Sequence, residues 1–201
     1  MELSVSEKIK SVSSLGELVD SLKSQGKTVA HCHGVFDILH PGHIRHLESA
    51  KKHGDILVVT ITPDRYVNKG PSRPVFPDAL RSEVLASLSV VDFVAVNEWP
   101  TAVEALKAIK ANRFVKGSDY KDAKKDVTGG ILREREAIES VGGELVFTDE
   151  IVKKVRKKEW RWDDIITDAV TGKSIMEYID PEEQNSSIIA MTSKELENYH
   201  N

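Results

Sequence analysis

With one cysteine, Cys32, in 201 residues, the chain can form no intrachain disulfide, which excludes the stapled scaffolds of small secreted domains. The apolar flanks of Cys32 mark a buried thiol and a reducing compartment. No stretch approaches the roughly 18 apolar residues of a membrane span, and the opening "MELSVSEKIK" lacks the apolar core of a signal peptide. The expectation is a soluble, cytoplasmic protein with no membrane partner. A formal net charge of -4 provides no global basic field, so coating of nucleic acid by bulk electrostatics is excluded and any phosphate binding must be local. Internal repeats and low-complexity tracts are also missing. What is present is 40% hydrophobic residues, enough for one well-buried domain.

Those apolar residues switch between two periods along the chain. "SSLGELVDSLKSQGK" sets Leu15, Leu18, Val19 and Leu22 at helical spacing behind serine caps and stops at Gly26. "TVAHCHGVF" predicts a strand, and "GHIRHLESAKKHG" a helix with Ile44, Leu47 and Ala50 on one face. "DILVVTIT" is nearly continuous in apolar residues, as a strand buried on both faces requires, and is read as the central strand. "PDALRSEVLASL", "VDFVAVN", "TAVEALKAIK", "NRFVKG", "GGILREREAIESVGG" and "ELVFT" then alternate as helix and strand to Thr148. Right-handed crossovers make this an α/β fold with a doubly wound parallel sheet, which binds ligands beyond the carboxyl ends of its strands. The division predicted is an N-terminal helical segment at 1–26, a single domain at 27–150 and a charged C-terminal extension at 151–201. In that extension the basic run Lys153 to Lys158, followed by Trp160 and Trp162, reads as a solvated helix face beside anchoring tryptophans rather than a nucleic-acid patch.

The chemistry gathers in "HGVFDILHPGHIRHLE", His33 to Glu48. A zinc site needs three or four ligands at converging spacing, whereas His40 and His43 are three apart across a Pro-Gly turn and no cysteine pair accompanies them. No metal ligand is assigned. A phosphate cradle accounts for more residues at once. A helix beginning near Gly42 would offer unpaired N–H groups and a positive dipole end to an anion. Gly34 and Gly42 would let the backbone approach a ligand. His40 and His43 could donate to phosphate oxygens and stabilise charge on departing pyrophosphate. His31, His33 and His46 are read as bystanders.

"GVFDILHPGHIRHLESAK" resembles the His-x-Gly-His signature of the nucleotidyltransferase superfamily of cytidylyltransferases and sugar-phosphate adenylyltransferases. "DILVVTITPDRYVNKGPSRPVF", "LRSEVLASLSVVDFVAV" and "RFVKGSDY" resemble its later segments in order, over roughly residues 27 to 148. "NKGPSRPV" and "VKGSDY" are most similar to the adenylyltransferase domains of ADP-heptose synthases, with glycerol-3-phosphate cytidylyltransferases second. The resemblance implies a Rossmann-like, HUP-type domain that joins the nucleotidyl group of ATP or CTP to a small phosphorylated substrate. Magnesium would accompany the triphosphate, held mainly by phosphate oxygens and water. A homodimer is usual in such families.

Position by position, the resemblance gives His40 and His43 to the triphosphate and transition state, with Lys69 and Arg81 neutralising phosphates. Gly34, Val35, Phe36 and Gly42, with Lys116, Gly117, Asp119 and Tyr120, would line the nucleotide. Asp37 would orient the acceptor or its phosphate-binding partners, or else cap a turn. Asp64 and Asp92 are structural or acceptor-side. One departure stands out: where the family carries a Ser-Thr-Thr or Ser-Ser-Ser segment after the last strand, this chain has "TDEIVKKVRKKEW". The candidates for that triphosphate-holding role are Ser186 and Ser187 of "NSSIIA", about 35 residues further on. "EYIDPEEQNSSIIAMTSKEL" is also similar to a short piece of the second-largest subunit of eukaryotic RNA polymerase.

Overall fold

The computed structural model describes residues 3–70, 73–120 and 130–148. Ser186, Ser187 and the basic run of the extension lie outside the described residues. A capping box between Ser4 and Glu7 starts the single turn α1 (Val5–Lys8), which leads into β1 (Ile9–Lys10). Ser11 caps α2 (Val12–Ser24), and Gly26, at φ 79°, turns the chain into β2 (Val29–Gly34). There follow α3 (Pro41–Lys51), β3 (Ile56–Ile61), α4 (Asp78–Ala86), β4 (Phe93–Val96), α5 (Val103–Ile109), β5 (Arg113–Lys116), α6 (Gly130–Ser140) and β6 (Glu144–Phe147).

All five strand pairings are parallel, in the order β1-β4-β3-β2-β5-β6. The predicted doubly wound sheet is therefore present, and β3 lies beside β2 at its centre. Alternation along β3 explains its apolar run. Leu57, Val59 and Ile61 pack with Leu47, Ala50, Leu85 and Ala86 of α3 and α4, while Val58 turns to Val12, Leu15, Val19 and Ile109 of α2 and α5. From β2 the chain builds outward through β3 and β4, then returns to β2's other side with β5 and β6. The switch point thus lies between β2 and β5, where the turn following β2 opens.

One expectation changes. Residues 1–26, read as helical, also contain β1, which pairs Ile9 with Val94 and Lys10 with Ala95 at the sheet edge. Two residues are too few to show a period. Lys8 secures the element by donating to the carbonyls of Leu88 and Val91.

Asp92, open between two readings, is structural: its Oδ2 accepts the Leu57 N–H and the Lys51 ammonium at the amino end of β3, opposite the strands' carboxyl ends.

Helices α2 and α5 meet at Gly16, where an added Cβ would stand 2.6 Å from the Ala108 carbonyl oxygen. Backbone cannot yield as a side-chain tip can. Gly16→Val is expected to destabilise the fold by about 1–3 kcal/mol, read as a lower denaturant midpoint at unchanged slope.

Candidate active site

The site begins where β2 ends. Phe36 takes a left-handed φ of 48°, an uncommon state for a bulky residue. Gly34 leaves room for this turn: a Cβ there would lie 3.0 Å from the Phe36 ring, a tight contact. The ring then meets His43 edge-on, with centroids 5.4 Å apart. Asp37, buried by the same turn, receives Arg73 Nη1 on Oδ2 at 2.6 Å and the Val75 N–H on Oδ1 at 2.6 Å. Burial pushes this carboxyl up, but the Arg73 hydrogen bond and the Val75 and Phe76 N–H groups outweigh it and hold it below the usual carboxylate range.

His40 caps α3 with its own ring, Nδ1 accepting the Gly42 N–H at 3.1 Å, and this places the ring proton on Nε2. A Cβ on Gly42 would strike that ring at 2.8 Å, so the glycine between the two histidines is required by packing. The imidazoles of His40 and His43 lie face to face, with centroids 3.8 Å apart and planes at 33°.

The expected free N–H groups at this helix start are not there. Pro41 has none, Gly42 donates to His40, and the His43 and Ile44 N–H groups both reach the His40 carbonyl. The imidazoles, rather than the backbone, would meet an anion.

His43 is pushed down to about 4, chiefly by burial and further by His40, Lys69 and His46, with the Ile38 backbone opposing. His46 is pushed down to about 4 by burial and Lys116. Its Nδ1 lies 3.4 Å from Thr148 Oγ1 at the end of β6, and its Nε2 lies 3.6 Å from Cys32 Sγ. Beneath the site, His31 and His33 share Thr60 Oγ1 at 2.7 and 2.9 Å, and burial holds both near 3. These four imidazoles are neutral at pH 7. Burial also pushes the Cys32 thiol up to about 12, so it is inert packing.

On the β5 side, Lys116 pairs with Glu134 of α6 at 2.9 Å and lies 4.6 Å from the Tyr120 ring centroid. Gly117 follows with open space where a side chain would stand, and Ser118–Tyr120, with Asp119 at its middle, forms a single 3-10 turn.

Arg81 differs most from its expected role. Its side chain is 1% exposed and donates to the carbonyls of Phe76, Val35 and Thr62 and to Asp64 Oδ1. Rather than presenting a charge to a phosphate, it ties together the turns after β2 and β3 and the segment before α4. Asp64 is half of that brace. Lys69 remains exposed, and its charge is felt at His43. A 330 Å³ cavity lies beyond the Phe36–Asp37 turn, lined largely by apolar side chains including Leu39, Phe76, Leu80 and Val84, and no histidine borders it. Arg73 and Thr148 were missed because a single charge or hydroxyl in a loop has no period. The signal for Arg73 was its place in "GPSRPV", just after the Lys-Gly pair.

A parallel sheet whose switch point carries a His-x-Gly-His helix start defines the class: a Rossmann-like domain of nucleotidyltransferase type. The chain belongs to the cytidylyltransferase-like family, whose model matches residues 31–190. Among curated proteins it is 43% identical over 145 residues to the bifunctional protein HldE of Campylobacter fetus, covering 71% of this chain and 31% of that protein. It is 41% identical over 138 residues to HldE of Nitratiruptor, covering 67% and 29%. The chain spans about a third of the length of these relatives. Among solved structures, a lipopolysaccharide core biosynthesis protein from Thermoplasma volcanium superposes with a TM-score of 0.51 at 27% identity, covering 62% of this chain and 98% of that one.

The buried histidines have a measurable consequence. A histidine with a folded pKa below its ordinary 6.5 binds fewer protons folded than unfolded, so its contribution is complete above about 6.5 and is lost as pH falls through 4 toward 3. The denaturation midpoint is expected to be flat from pH 8 to 7 and to fall steadily below about 6.5. Imidazole NMR titrations should find His43 and His46 with midpoints near 4.

Proposed function

We propose that this chain transfers the nucleotidyl group of a nucleoside triphosphate, ATP or CTP, to a phosphate oxygen of a small phosphorylated substrate, a sugar phosphate, with release of pyrophosphate. The observation that carries this reading is the close, tilted pair of imidazoles, His40 and His43, at the switch point. Similarity to HldE proteins and to a lipopolysaccharide core biosynthesis protein supports a sugar phosphate such as heptose 1-phosphate as acceptor. A glycerol-3-phosphate type of acceptor comes second.

In this reading the acceptor oxygen attacks the α-phosphorus, its new P–O bond forms, and the bond to the β-phosphate oxygen breaks. A phosphate monoester has a second pKa of about 6 and is largely dianionic at pH 7, so no general base is needed. Catalysis rests on alignment and on stabilising the charge that passes to pyrophosphate. His40 and His43 donate N–H groups to the departing oxygens, and the incoming anion raises the basicity of His43 so that these bonds become charge-assisted. Lys69 adds positive charge, and Arg81 with Asp64 keeps the surrounding turns in place. Gly34, Val35, Phe36 and Gly42 face the nucleotide from one side. Lys116, Gly117, Asp119 and Tyr120 face it from the β5 side.

Among the described residues no group of three or more His, Cys, Asp or Glu side chains converges on a metal position. Magnesium would enter with the nucleotide, bound through triphosphate oxygens and water, where it would neutralise charge on the pyrophosphate. No helix among the described residues is long and apolar enough to cross a membrane.

Pyrophosphate release is the test, with ATP or CTP paired in turn with sugar and polyol phosphates. Release is expected only when both substrates are present. His43→Ala should lower kcat about 10²- to 10³-fold, the cost typical of losing one transition-state donor. Nucleotide binding with no release from any pair would contradict the enzyme reading and leave a binding module.

A further inference from the structure

Five cations stand around the turns that end β2, β3 and β5, and three are already engaged, Arg65 among them through the Glu98 carbonyl and the Tyr66 ring. Arg81 is enclosed by three carbonyls and Asp64, and Lys116, 11% exposed, is paired with Glu134. Lys69 and Arg73 remain on the loop between β3 and α4. Lys69 is an exposed point charge near His43. Arg73 is different, because its side chain is 39% exposed and yet its guanidinium is held by the carboxylate of Asp37, whose side chain is 5% exposed.

The anchoring is one-sided. Only Nη1 of Arg73 engages Asp37, at Oδ2, because Oδ1 is taken by the Val75 N–H. The Nε and Nη2 donors have no protein acceptor among the described residues. A guanidinium carries five N–H groups in a planar fork that matches two oxygens of a phosphate. Asp37 directly follows Phe36, whose ring rests against His43, so the carboxylate that holds this fork is one residue along the chain from the ring that supports the imidazole pair. Asp37 itself would repel an acceptor phosphate. With Arg73 on it, the same carboxylate presents a net donor surface.

Resting on the transferase reading, we infer that Arg73 is the residue that binds the acceptor's phosphate, and that Asp37 positions it. Arg73 takes the role the sequence assigned to Arg81. Lys69 supplies the second positive charge from the same loop. The dianionic monoester is thereby held at the Phe36–Asp37 turn, next to the triphosphate on His40 and His43.

The test uses the full chain and inorganic phosphate as the probe, titrated calorimetrically with α,β-methylene ATP and magnesium present to occupy the nucleotide subsite. Arg73→Gln is expected to weaken phosphate at least tenfold while leaving the Kd of the ATP analogue within twofold. Arg73→Lys should fall between, since it restores charge without the fork. In turnover, Arg73→Gln should raise the acceptor KM and leave the nucleotide KM unchanged. Phosphate affinity that is equal in wild type and Arg73→Gln, or wild type that binds no phosphate, would overturn the assignment. Parallel loss of nucleotide affinity and thermal midpoint in both variants would also overturn it, by showing a purely structural role. The two levels separate: phosphate binding lost in Arg73→Gln without any pyrophosphate release from wild type keeps the Arg73 site and rejects the transferase, and the converse rejects only Arg73.

Discussion

Phe36 holds a left-handed backbone with its ring packed close over Gly34, and three parts of the site depend on that turn. The ring supports His43, the carbonyl of Val35 is aimed at Arg81, and Asp37 is sent inward to hold Arg73 and the Val75 N–H. A left-handed conformation costs of order 1–2 kcal/mol for a residue with a side chain. Here it is offset by burial of the ring and by the hydrogen bonds that close on both sides of it. The candidate site residues are thus arranged around the packing of one aromatic ring against a glycine.

Electrostatics follow from the same burial. Enclosing four imidazoles beneath and beside the turn keeps them uncharged, and Lys116 reinforces this at His31, His33 and His46. A neutral His43 does not hold a permanent charge out of water, yet can become charge-assisted when an anion arrives. Permanent charge is kept at the rim, on Lys69 and Arg73, where solvent moderates its cost. Arg81 shows the alternative. A fully enclosed guanidinium is tolerated because its donors find carbonyls and a carboxylate, and it then serves architecture rather than ligand.

Much of the fold was legible because it rests on periodicity. The unbroken apolar run of β3, the helical spacing of α2 and the alternation through β6 all derive from burial on two faces or one. Gly34, Gly42, His40 and His43 stand out together in the sequence, but the glycines, expected to let a ligand approach, lie against the Phe36 and His40 rings, and the part of the histidines toward phosphate is a proposal. The direction of a long side chain was not legible. Arg81 and Arg73 are both basic residues near a loop, and only the surrounding carbonyls decide that one turns inward and the other stays at the rim. The helix start misled for a related reason: nothing in "HPGH" announces that His40 will take the Gly42 N–H for itself. The two residues of β1 carry too little pattern to be seen. Ser186 and Ser187 lie outside the described residues, and their expected part in holding the triphosphate stays a proposal.

The central claim is that a triphosphate is received by the imidazoles of His40 and His43 at the entrance to α3. The most direct measurement follows the ¹⁵N titration of His40 and His43 with and without the magnesium complexes of ATP and CTP. The account predicts that bound nucleotide lifts the His43 midpoint from about 4 toward its ordinary range near 6.5, with His31 unmoved near 3. A nucleotide that binds while the His40 and His43 resonances and midpoints stay where they were would contradict it.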